Sequence, residues 1–233
     1  MQALKTIQAS LLQLIFPHVC SGCGSDLLPT DSSICFQCLE ALPETNFIFH
    51  ANNPVEKIFW GRLPLVQAAA QYYFTKESLI QQLMHELKYR GNRNLGLQLG
   101  RLMGLSLLQT NRFNDIDALV PLPLYPARER KRGYNQAALL CEGITAVTGI
   151  PILNNIVSRP QPTVTQTQKT RIERWQNIAG KFRLDDPDSA SGKHLLLIDD
   201  VVTTGTTLEA CGQELLKIGN GRLSIATLCY TAH

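Results

Sequence analysis

Four consecutive apolar residues, Leu195-Leu196-Leu197-Ile198, run directly into two adjacent carboxylates, Asp199-Asp200, and then into Thr203-Thr204-Gly205-Thr206-Thr207. No other stretch limits the chain so tightly. A buried strand must end at the acids, a tight turn must follow, and the apolar spacing of Thr206–Ile218 starts a helix. After residue 115 strands alternate with helices: Ala118–Leu124, Asn135–Val147, Ile152–Val157, Leu195–Ile198, Thr206–Ile218 and Leu223–Tyr230. That order predicts βαβ units and a parallel sheet. Ligands of such sheets bind beyond the C-terminal strand ends, where the acids and the turn fall.

The turn has the chemistry of an anion site. Successive backbone N–H groups at a helix N-terminus form a nest for negative charge. Gly205 allows torsions and a close approach that a side chain would prevent. Thr203, Thr204, Thr206 and Thr207 add hydroxyl donors. A carboxylate pair touching a bound phosphate would repel it. The arrangement makes sense when Asp199 and Asp200 take hydrogen bonds from sugar hydroxyls, or help hold a metal, while the turn holds a phosphate several ångström away. A Walker B strand has the same apolar-then-acid pattern, but no G-x4-G-K-[ST] occurs, and the dinucleotide G-x-G-x-x-G is missing as well. A plain strand–turn–helix needs fewer acids and threonines than this.

The N-terminal part carries a second signal. Cys20-x2-Cys23 and Cys35-x2-Cys38 are separated by eleven residues. Two such turns point four thiolates at one tetrahedral Zn2+ in a closed, structural site; an Fe–S cluster or a redox dithiol is the competing reading. Residues 1–50 hold one basic side chain, Lys5, against Asp26, Asp31, Glu40 and Glu44. A phosphate-reading finger needs the opposite balance, so this module reads as a metal-stapled cap on the main domain.

The 233 residues are 44% hydrophobic and 18% charged, which excludes wholesale disorder, and the net charge of +3 is too small to mark the whole chain as a nucleic-acid binder. Met1–Phe16 reads as a short amphipathic helix; its single Lys5 and interrupting polar residues argue against a signal peptide, with a membrane anchor as the alternative. No apolar run reaches membrane-spanning length, so a cytoplasmic location with reduced cysteines is expected. Leu79, Ile80, Leu83, Met84 and Leu87 predict a helix over Lys76–Arg90, and Leu95–Leu108 a second, with a strand at Pro64–Phe74 before them. The organisation expected is an N-terminal helix and zinc module at 1–50 and an α/β domain at 51–233, with 51–115 as a hood over the site.

Asp199–Thr207 resembles the phosphoribosyl pyrophosphate (PRPP) loop of type I phosphoribosyltransferases. With the four cysteines, the whole chain resembles the ComF family of competence-associated proteins. Leu87-Lys88-Tyr89-Arg90-Gly91, Val120-Pro121-Leu122-Pro123-Leu124, Arg132-Gly133-Tyr134-Asn135-Gln136 and Gln168-Lys169 with Arg174 and Asn177 are similar to its recurrent stretches. The resemblance implies a phosphoribosyltransferase-type fold, PRPP bound with Mg2+, pyrophosphate release to an unnamed acceptor, and a role in DNA uptake. It implies that Asp199 and Asp200 hold the ribose hydroxyls and that Thr203, Thr204, Gly205, Thr206 and Thr207 cradle the 5′-phosphate. Lys88, and Arg128 in a pyrophosphate loop near Leu124–Arg128, would meet substrate, and Lys169 and Arg171 would act from a closing loop between Ile156 and Phe182. That segment carries five bases against Glu173 alone, which suits an anionic ligand. A competing function is a non-catalytic protein that senses PRPP or a nucleotide, or binds single-stranded DNA beside the competence machinery, with Tyr89 and Tyr134 among arginines as stacking surfaces.

Overall fold

The computed structural model describes residues 18–160 and 181–232. The helix expected over Met1–Phe16 lies outside the described residues, as do Lys169 and Arg171. In chain order the strands are β1 (Ala68–Tyr73), β2 (Ala118–Pro121), β3 (Val157–Ser158), β4 (Arg183–Leu184), β5 (His194–Val202) and β6 (Arg222–Tyr230). The helices are α1 (Phe36–Glu40), α2 (Pro54–Phe59), α3 (Leu79–Tyr89), α4 (Arg93–Leu108), α5 (Pro126–Arg132), α6 (Gln136–Thr148) and α7 (Thr206–Leu215).

Four strands form one parallel sheet in the order β1-β6-β5-β2. The middle strands are buried almost end to end, which accounts for their unbroken apolar runs. Both sheet edges are covered. Thr45 N and Tyr73 N pair across Pro43–Thr45 and β1, while Leu119 N and Leu153 N pair across β2 and Pro151–Leu153.

Side-chain caps set the helix starts where the sequence places Ser or Asn. Ser78 accepts from Gln81 N, Asn92 from Leu95 N and Asn135 from Ala137 N. Gly149 ends α6 in the left-handed region at φ 74°. The packing of α4 on α6 requires glycine. A Cβ on Gly100 would lie 2.3 Å from Leu140 O, and one on Gly143 would lie 2.3 Å from Leu97 O. The two backbones therefore touch, and α6 lies against β5 and β2.

Two expectations are corrected. Ile152–Val157 is no continuous strand, because Asn155 turns left-handed at φ 66° and breaks it. Ile152 makes one parallel bridge to Leu119, while Val157–Ser158 pairs antiparallel with β4. Leu124–Arg128 is no open loop either: Pro126 starts α5 at its first position, and Arg130, Lys131 and Arg132 occupy its last turn, where helix carbonyls favour positive charge. No helix among the described residues is long and apolar enough to cross a membrane.

Candidate functional site

Asp199 and Asp200 lie within the C-terminal part of β5, which runs on to Val202 and does not end at the acids as the sequence suggested. Lys88, near the end of α3, reaches across to place Nζ 2.9 Å from Asp200 Oδ2. Its helix is fastened there by the Tyr134 hydroxyl, which donates to Leu87 O at 2.5 Å. Asp199 Oδ1 accepts the Asp200 N–H at 2.8 Å. Burial and the adjacent Asp200 carboxylate push Asp199 up to about 8, against the pull of that N–H, Lys88 and Arg159. Burial and the like charge thus favour the protonated Asp199 carboxyl.

The turn after β5 wraps a small hollow of about 60 Å³, lined by Asp199 and by Val201–Leu208. Thr204 and Thr206 share a hydroxyl contact of 2.9 Å. Among the described residues the N–H groups of Thr203, Thr204 and Gly205 donate to no backbone carbonyl. Gly205 has φ 72°, and a Cβ there would meet Ile58 at 2.6 Å and Phe59 at 2.8 Å. Both torsion and space therefore exclude a side chain at this one position.

Two cationic groups, Lys88 and Arg159, act on the acids, and a third, Arg128, acts on Arg159. Lys88 comes from α3. Arg128 is exposed on α5. Arg159, buried just beyond β3, sets its guanidinium 5.1 Å from the Phe182 ring, and it is close enough to Asp199 and Arg128 for both charges to act on it. Burial and Arg128 lower its pKa, and Asp199 opposes them. Lys169 and Arg171 lie outside the described residues.

Three contributors escaped the sequence reading. Arg159 appeared there only as loop charge. Arg62 and Glu209, behind the turn, were not singled out. Thr206-x2-Glu209 is a capping-box spacing and was the one available signal. Tyr134 is corrected as a stacking surface, because it is buried and its hydroxyl is spent on Leu87. Tyr89 is 68% exposed, with the His85 ring 5.0 Å away and Arg132 5.7 Å from its centroid.

The four cysteines do converge. The sulfurs of Cys20, Cys23, Cys35 and Cys38 all lie within 4.8 Å of one another, with no disulfide. Burial works against the Cys20 thiolate, but N–H donors from Cys35, Cys23 and Gly22 outweigh it and lower Cys20 to about 6. Burial and the other three sulfurs push Cys38 the opposite way. Crowded thiols with donors already aimed at one sulfur fit a thiolate-bound metal ion. Cys141, Cys211 and Cys229 are buried, with thiols pushed up by burial, and take no part in the cluster.

The family described as "Phosphoribosyl transferase domain" matches residues 147–233, the part that holds the acids and the turn. Over 221 residues, 91% of this chain and 90% of the other, the sequence is 31% identical to the DNA utilization protein YhgH of Escherichia coli (strain K12). The chain belongs to the ComF family. Within it, Competence protein F of Haemophilus influenzae is 31% identical over 88% of this chain and 80% of its own length. Competence protein ComFC of Bacillus subtilis is 38% identical over 43% of this chain and 39% of its own length. A parallel sheet with a phosphoribosyltransferase-type domain and a four-cysteine cluster near the N-terminus is thus the architecture of this ComF protein.

Proposed function

We propose that this ComF protein binds PRPP at the end of β5 and transfers its phosphoribosyl group, with release of pyrophosphate, in the handling of DNA taken up by the cell. One observation carries the reading: Asp199 and a threonine–glycine turn line one hollow near the strand end, and among the described residues the Thr203, Thr204 and Gly205 N–H groups donate to no backbone carbonyl. Asp199 and Asp200 accept the ribose hydroxyls. Thr203, Thr204, Gly205, Thr206 and Thr207 hold the 5′-phosphate. Lys88, Arg128 and Arg159, with Lys169 and Arg171, surround the pyrophosphate with positive charge. The C1–oxygen bond to pyrophosphate breaks as the acceptor's lone pair forms a bond to C1, and the departing oxygen keeps the electron pair. Mg2+, for which the two carboxylates are suitable oxygen ligands, would neutralise charge on the leaving group. Zn2+ on Cys20, Cys23, Cys35 and Cys38 has a structural role, since all four protein ligands are present and none is left open for substrate. The unbonded thiols agree with a cytoplasmic location.

PRPP with Mg2+ at about a hundred times Kd should stabilise the fold by roughly 2.7 kcal/mol. Asp199→Ala with Asp200→Ala should remove the effect. An unchanged wild-type melt refutes the assignment. Pyrophosphate release over a panel of nitrogenous bases separates a transferase from a sensor that only binds.

A second reading, single-stranded DNA binding, is favoured by Tyr89 alone. An exposed ring beside His85 and Arg132 is a platform on which an unpaired base can stack. Tyr89→Ala should then weaken an oligonucleotide and leave PRPP untouched; equal oligonucleotide affinity removes this reading.

A further inference from the structure

The turn that lines the hollow is held from behind by an ion pair between a buried glutamate and a half-buried arginine. Glu209, in the first turn of α7, pairs with Arg62 Nη2. Arg62 Nη1 donates to Thr204 O at 2.9 Å and to Ile58 O at 2.8 Å. The next carbonyl, Gly205 O, accepts from Glu209 N at 2.8 Å. Arg62 follows α2, and α2 is itself anchored. Asn53 caps it through Val55 N and Glu56 N, and its amide donates to Ala68 O on β1 at 2.7 Å. Arg112 ties Glu56 and the carbonyls of Phe47, Ile48 and His50 into the same base. The guanidinium therefore stands on the sheet and grips the turn.

Peptide geometry gives that grip a consequence. In a trans peptide the C=O and the following N–H point in opposite directions. With Thr204 O drawn back onto Arg62, the Gly205 N–H faces away from Arg62, toward the hollow lined by Asp199 and Thr203–Thr207. We propose that Arg62, braced by Glu209, is a positioning residue that fixes the Thr204–Gly205 peptide so that the Gly205 N–H meets the 5′-phosphate. The role is geometric. Glu209 neutralises the guanidinium charge beside the turn, so Arg62 acts through the direction of a dipole. Lysine keeps the charge but lacks the rigid fork that meets three acceptors in fixed directions, so Arg62→Lys should not rescue. The proposal rests on the ribose-phosphate reading above.

The test uses the full chain and two ligands that the site would read with different parts. Ribose 5-phosphate engages the turn, whereas magnesium pyrophosphate engages only the cationic side chains. In calorimetry the wild type should bind both. Arg62→Lys should lose about tenfold or more for ribose 5-phosphate, the worth of one charge-assisted hydrogen bond, and keep its pyrophosphate affinity. Arg62→Met leaves Glu209 buried and unpaired and risks unfolding, so Arg62→Met with Glu209→Met is the second variant, and the same split is expected. Backbone-amide NMR supplies a readout that mere loss of stability would not give: the Gly205 N–H should shift strongly when ribose 5-phosphate binds the wild type, and far less in Arg62→Lys. Variants that bind ribose 5-phosphate like the wild type overturn the proposal. Equal losses for both ligands also overturn it, because they mean that Arg62 only holds the fold. A wild type that binds neither ligand overturns instead the reading on which the proposal stands.

Discussion

Ligand binding to this site should release a proton from Asp199, and the number released can be worked out. Burial and Asp200 push Asp199 up to about 8. With that value about nine in ten molecules carry the proton at pH 7. A carboxyl that accepts hydrogen bonds from ribose hydroxyls serves best as the anion, so binding expels the proton. At pH 7 the release is about 0.9 proton per ligand, and apparent affinity rises roughly fiftyfold between pH 6 and pH 8 before it levels off. The assay is calorimetry of ribose 5-phosphate in two buffers of different ionisation enthalpy. The ligand's own phosphate titrates near pH 6, so Asp199→Asn serves as the subtraction. Without ligand the same shift acts on stability. The folded state keeps a proton that the unfolded chain loses near pH 4. Stability from this group is thus complete below about pH 4 and falls as pH rises through about 8. Asp199→Asn should then raise the melting temperature more at pH 8 than at pH 5. Equal proton release from wild type and Asp199→Asn, or a flat affinity from pH 6 to 8, would refute the reasoning.

The contact of α4 with α6 predicts a graded glycine series: Gly100→Ala and Gly143→Ala should each cost about 1–3 kcal/mol in urea unfolding, because their Cβ atoms would strike backbone at 2.3 Å. Gly104→Ala, with its nearest contacts at 3.2 Å, should be near neutral, since alanine's better helix propensity offsets a small shift. Elemental analysis should find one zinc per chain, lost in Cys20→Ser and retained in Cys141→Ser; a zinc-free wild type sinks the metal assignment. His194 is buried, with Nε2 2.8 Å from Ser224 Oγ and Nδ1 3.2 Å from Asp115. Burial lowers its pKa, with Asp115 opposing, so the unfolded chain takes up the proton first and stability falls as pH drops below about 6.5. His194→Gln should flatten that fall in melts between pH 5 and 7, and an unchanged slope would discount it.

What was legible in the sequence was local. Leu195–Thr207 announced strand, acids, turn and helix within thirteen residues, because each step has its own periodicity or turn chemistry. The α5 helix was hidden because none of its residues is buried, so it has no apolar stripe to read. Arg62 was invisible for another reason. Its partners Thr204 and Glu209 are 142 and 147 residues away, and nothing beside Gly61 or Pro64 marks an arginine as the prop of a distant turn. Lys88 entered through family resemblance alone, and its pairing with Asp200 is a product of topology. Tyr134 and Tyr89 look alike in sequence, yet Tyr134, in the short connection between α5 and α6, is buried with its hydroxyl on Leu87 O, while Tyr89, at the end of α3, is exposed.

The cysteine cluster bears on the acid pair through one rigid element. The turn at Cys20–Cys23 is clamped to α3 and its neighbour: Gln82 Nε2 donates to Ser21 O at 2.9 Å and Asn92 Nδ2 to Ser21 Oγ at 3.0 Å. Gln98 of α4 takes Ser33 N at 2.7 Å and gives to Ser32 Oγ at 2.9 Å. A Cβ on Gly22 would come 2.5 Å from Leu79, so the turn sits directly on the first residue of α3. From Leu79 the helix then rises about 14 Å to Lys88, whose ammonium lies on Asp200. The far end of the helix is fixed by Tyr134. A helix held at both ends has little freedom to rotate, so the direction of Lys88 is set partly by the cysteine turn at the other end. The contacts of the cysteine turns with α3 and α4 therefore help to aim a cation at Asp200.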